Sequence, residues 1–65
     1  MSYRKINPPE YKIGDIITYD NGQNIDIVAG YHWFQGIYKY YLMSGVGISV
    51  DEAFIDQKIG EANFY

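Results

Sequence analysis

Between Ile13 and Ile59 the chain alternates short β-branched and aromatic runs with glycine-centred breaks, and no eleven-residue window has the apolar spacing of a helix. Residues 13–19 (IGDIITY) read as a strand. Asp20, Asn21 and Gly22 stop it. The Asn21-Gly22 pair predicts a tight hairpin, because both residues tolerate the positive φ of a type I′ turn. Residues 24–31 return as a second strand. Ile25, Ile27 and Ala29 share one face and Asp26 takes the other, the alternation of a strand buried on one side.

Residues 32–36 read as a loop or strand end that bends at Gly36. A third strand covers 37–43, where Lys39 marks the outward face together with Ile37, Tyr41 and Met43. Tyr38, Tyr40 and Leu42 then point inward. Ser44 and Gly45 turn the chain into a short fourth strand, 46–50. Asp51 as N-cap, followed by Glu52, Ala53 and Phe54, predicts a single 3₁₀ turn. Residues 55–59 form a fifth, short strand.

Outside this body lie two further segments. Residues 1–12 form an extended arm, since Pro8-Pro9 favours a polyproline conformation and cannot begin a central strand. Tyr3, Ile6 and Tyr11 give the arm an apolar side with which to dock on the body. Residues 60–65 form a tail, whose Phe64 and Tyr65 are available to cover apolar surface. Five short strands with one helical turn before the last predict an all-β domain over residues 13–59, a small barrel.

Composition sharpens this picture. A chain of 65 residues is one domain with a small core, and ordering it costs on the order of 100 kcal/mol of conformational entropy. Twelve aromatic residues supply the burial that offsets it, and there is no Cys for a disulfide. With a single His and no Cys, no metal site and no cofactor are expected. No apolar run reaches the ~18 residues of a membrane span, and Arg4-Lys5 is not followed by the apolar segment of a signal peptide. A cytoplasmic location is the expectation. The net charge of −3, with Arg4, Lys5, Lys12, Lys39 and Lys58 scattered, disfavours nucleic acid as a partner.

The run 12–17 (KIGDII), the Tyr-rich middle strand, and the run 47–55 (GISVDEAFI) together resemble SH3-like barrel domains of bacterial or phage type. The resemblance covers about residues 12–59. It implies a five-stranded barrel with an acidic 3₁₀ turn before the last strand, and it leaves function open, since that fold serves protein binding, RNA binding and structural roles. The first hairpin is too short to supply the long acidic loop with which signalling domains of this fold take Pro-rich ligands. By analogy of size and style, a free-standing acidic domain without a catalytic set is expected to be a phage or mobile-element protein that binds or inhibits a host protein.

Catalysis finds little footing. His32 is the only imidazole, and nothing in the spacing orients Ser44 or Ser49 toward it. The Asp51-Glu52 pair reads as a cap and a solvated first-turn carboxylate. Gly45 and Gly47 lack the third glycine and following helix of a phosphate loop. The chain is therefore expected not to be an enzyme. The informative stretch is Tyr31-His32-Trp33-Phe34, four consecutive rings that cannot all point inward along a strand. Tyr31, Trp33, Phe34 and Tyr41 are the candidate partner-binding residues, serving a protein partner, a homodimer, or both. Base stacking on the tyrosines and self-assembly as a structural subunit are the alternatives.

Overall fold

Register and turn chemistry build one antiparallel sheet from this sequence. The computed structural model describes residues 8–45 and 49–63. Its strands are β1 (Asp15–Tyr19), β2 (Asn24–Phe34), β3 (Ile37–Leu42), β4 (Ser49–Asp51) and β5 (Ile55–Glu61), with a 3₁₀ turn over Glu52–Phe54. Tyr3, Ile6, Phe64, Tyr65 and the start of the expected fourth strand at 46–48 lie outside the described residues.

The first hairpin forms where the sequence places it. Asn21 and Gly22 have φ of 59° and 78°, and the Gln23 N–H donates to the Asp20 carbonyl at 3.2 Å. Asp56 Oδ2 accepts the Gly22 N–H at 2.6 Å, which pins the hairpin tip to β5. A second, tighter hairpin stands where only a bend at Gly36 was expected. Gln35 and Gly36 have φ of 48° and 89°, and Phe34 pairs directly with Ile37. β2 thus runs on to Phe34 instead of ending at Tyr31.

The strand order is β4-β3-β2-β1-β5. β2 serves both halves of the sheet: residues 24–27 pair with β1, and residues 28–34 pair with β3 across an irregularity at Ala29. Such a bulge bends the strand and increases its twist. The bend lets every strand contribute to one core of Ile17, Val28, Tyr40, Leu42, Val50 and Ile55. Tyr38, Tyr40 and Leu42 lie on the inner side, as Lys39 predicted.

Three details correct the expectation. The sheet is not closed: among the described residues β4 and β5 are its two edges and do not pair, so the all-β class holds without a closed barrel. On β2 the buried side is the opposite of that suggested by alternation, with Val28 fully buried and Ile25 64% exposed. The polar Asp26 tolerates its place beside Val28 because its carboxylate accepts the Ile27 N–H at 2.8 Å and the Ser44 hydroxyl. Finally, Asp51 makes no side-chain cap, and its Oδ1 lies 3.7 Å from Lys39 Nζ.

β5 runs two residues beyond the expected strand end, and the Ala62 N–H donates to the Gly14 carbonyl at 2.7 Å. Gly14 and Asp15 anchor this corner. Asp15 is buried, and its Oδ2 accepts the Lys12 N–H at 3.0 Å while Lys58 Nζ stands 3.3 Å from Oδ1. Desolvation at Lys58 opposes its charge, yet Asp15 and Glu61 outweigh it and raise its pKa above the ordinary value.

Candidate protein-binding surface

Residues directly opposite one another in an antiparallel ladder share a face. Register sets Tyr31 against Tyr40 and Trp33 against Tyr38, so these four rings lie on the inner side of the β2–β3 hairpin. Their contacts are continuous. Trp33 meets Tyr38 edge to face at 4.8 Å, and Tyr31 meets Tyr38 at 6.0 Å and Tyr40 at 5.9 Å. Tyr40 is fully buried, whereas Tyr31 and Trp33 remain 40% and 42% exposed. The aromatic core thus runs out of the protein to the hairpin end and reaches solvent there.

The opposite side of the same hairpin carries a second cluster. His32 stacks on Tyr41 at 5.3 Å, and the Tyr41 hydroxyl lies 2.7 Å from His32 Nδ1. Lys39 Nζ sits 5.4 Å from the centre of the Phe34 ring. The four candidate residues therefore divide into two pairs. Tyr31 and Trp33 come together on the inner side, and Phe34 and Tyr41 occupy the outer side. His32 faces outward and joins none of the inner rings.

A groove of about 380 Å³ opens at this end of the hairpin, lined by residues that include Trp33 and Tyr38. Pro8, Glu10, Asp51 and Glu52 also line it. One buried hydroxyl ties Glu52 to the docked arm. Tyr40 donates to Glu52 Oε2 at 2.5 Å and accepts the Tyr11 N–H at 3.4 Å, while the Glu10 N–H also reaches Glu52 Oε2 at 3.4 Å. The Tyr11 ring packs edge-on against Tyr40 at 5.6 Å. The described part of the arm is therefore docked on the body.

Burial, then the hydrogen bond to Glu52, pushes the Tyr40 phenol far above its ordinary pKa, so it stays a neutral donor. Burial, then the charges of Glu10, Glu52 and Asp56, also raises Tyr11.

No protein-family model, curated protein or solved structure matches the chain. Among the described residues no three His, Asp or Glu side chains gather as a metal site, and no helix is long and apolar enough to cross a membrane.

Sequence reasoning took Asp51 and Glu52 for a cap and a solvated carboxylate, and passed over Glu10 and the part of Tyr38 in the groove lining. The Gln35-Gly36 turn carried the signal for Tyr38, since a two-residue turn there sets Trp33 opposite it. Nothing local announces Glu10, whose N–H bonds to Glu52, 42 positions away.

Proposed function

We propose that this domain is a non-catalytic protein-binding module that docks its partner on the exposed end of the Tyr31–Trp33–Tyr38 face. The observation that carries this reading is that Trp33 is 42% exposed although its ring is held edge-on by Tyr38 at 4.8 Å. Ordered, half-exposed Trp and Tyr beside a concave surface are the usual anchors of protein interfaces, and fixing them in advance reduces the entropy lost on binding. The strand order β4-β3-β2-β1-β5 and the 3₁₀ turn before β5 support an SH3-like arrangement with an open sheet. A homodimer through the Phe34–Tyr41 side is compatible with the first interface, because the two clusters lie on opposite sides of the hairpin.

Capture of tagged protein from nuclease-treated lysate tests the reading, with Trp33→Ala and Tyr41→Ala in parallel. One stoichiometric protein retained by wild type and Tyr41→Ala but lost with Trp33→Ala is the expected result. Equal retention by all three refutes the assignment. Stacking of nucleic acid on the outer side, where Lys39 lies over Phe34 beside the His32–Tyr41 stack, is the second reading. It predicts instead a ligand removed by nuclease, with affinity that falls steeply as salt rises.

A further inference from the structure

We propose that Asn21 is a self-modification site, converted to aspartate and isoaspartate by its own backbone, and that Asp56 holds this reaction in check. Asn21 is the only one of the four asparagines followed by glycine, and both residues are exposed at the tip of the first hairpin. Glycine leaves the following backbone nitrogen unshielded, and nothing lies within 4 Å of where a Cβ would stand at Gly22. The step is a ring closure. The Gly22 nitrogen bonds to Asn21 Cγ, the Cγ–Nδ2 bond breaks, and the side-chain nitrogen leaves as ammonia with the proton lost from the Gly22 N–H. Water then opens the cyclic imide at either carbonyl, giving aspartate or isoaspartate with no change of oxidation state.

Two features of the fold oppose the closure. With φ of 59° at Asn21 and 78° at Gly22, the type I′ turn directs the Gly22 nitrogen away from the Asn21 side chain. The peptide between them has to rotate before the two atoms meet. The Gly22 N–H is also donated to Asp56 Oδ2 at 2.6 Å. A carboxylate there resists loss of that proton, because the charge left on nitrogen would face another negative charge. A further tie at the tip is the Asp20 N–H bond to the Phe54 carbonyl at 3.3 Å. Conversion works against these ties. Isoaspartate adds a methylene to the backbone of the turn, and either product adds a carboxylate to a tip that already holds Asp20 and lies against Asp56. The tip is thereby released from β5.

The test incubates the full chain at neutral pH as wild type, as Asp56→Ala, and as wild type unfolded in urea. Residue 21 is followed by peptide mapping with electron-transfer fragmentation, which separates aspartate from isoaspartate, and Asn24 serves as the internal control. Wild type is expected to convert at Asn21 and not at Asn24, about tenfold more slowly than the unfolded chain. Asp56→Ala converts roughly fivefold faster than wild type. Hydrogen exchange at the buried Ile17 and Val28 amides, unchanged in Asp56→Ala, shows that the core stays folded. The purified isoaspartate form exchanges its Gly22 amide faster than wild type.

Equal rates for folded and unfolded wild type, or for wild type and Asp56→Ala, overturn the proposal. So does slower conversion of Asp56→Ala, which makes the carboxylate a base for the step and not its guard. Acceleration matched by equally faster exchange at Ile17 and Val28 assigns the effect to global unfolding and overturns it as well. An isoaspartate form whose Gly22 amide exchanges as in wild type refutes the release of the tip.

Discussion

Tyr40→Phe removes one oxygen atom and tests how the groove is held to the core. In the native protein that oxygen is fully buried, donates to Glu52 Oε2 at 2.5 Å and accepts a long bond from the Tyr11 N–H at 3.4 Å. A hydrogen bond to a charged acceptor contributes about 1.5–3 kcal/mol. Glu52 is half-buried and regains water when released, so the lower part of that range applies, about 1.5–2 kcal/mol. In a domain of this size each kcal/mol moves Tm by about 4–8 °C, giving a fall of roughly 6–16 °C at pH 7.

The pH dependence supplies an independent check. The folded-state pKa of Tyr40 is raised, so its contribution is complete below the unfolded phenol value near pH 10 and is lost as pH climbs toward the folded value. The wild type is expected to lose stability above about pH 10. Tyr40→Phe starts lower and declines less, keeping the smaller share due to Tyr11. Thermal unfolding followed by circular dichroism from pH 7 to 11 measures both, and hydrogen exchange at the Glu10 and Tyr11 amides shows whether the arm has been released. A Tm within about 2 °C of wild type, or an unchanged alkaline slope, refutes the account of the clasp.

Further variants separate surface from scaffold. Trp33→Ala weakens partner binding by at least ~2 kcal/mol in calorimetry while lowering Tm only slightly, since the ring is half-exposed. Gly22→Val costs about 1–2 kcal/mol by denaturant titration through backbone strain alone, because φ is 78° and nothing lies within 4 Å of the added Cβ. Lys58→Met lowers Tm more than Lys12→Met, because it strands the buried Asp15 carboxylate, whereas the Lys12–Glu61 pair is mostly solvated. Equal shifts for the two lysines contradict that ranking.

Much of the scaffold was legible because local chemistry decides it. Asn21-Gly22 specifies its own turn, Lys39 announces the orientation of β3, and Glu52–Phe54 is too short for anything beyond a 3₁₀ turn. Alternation alone misled on β2. It sorts residues into two sets but does not say which set faces the core, and Asp26 is accommodated inside by Ser44, 18 positions away. The open sheet was hidden for a related reason, since closure depends on whether two distant edge strands meet. In the surface cluster, parity guaranteed that some rings are exposed. Only the Phe34–Ile37 register showed that Trp33 joins Tyr38 while Phe34 turns away.

Site-specific photocrosslinking inside cells that express the protein tests the central claim most directly. A benzophenone side chain at Ile37, at the rim of the groove, is compared with one at Ile25, 64% exposed on the outer side of the β1–β2 ladder. The account predicts one discrete heterologous protein adduct from position 37, abolished by Trp33→Ala, and none from position 25. Adducts of equal yield from both positions, or from position 25 alone, contradict it.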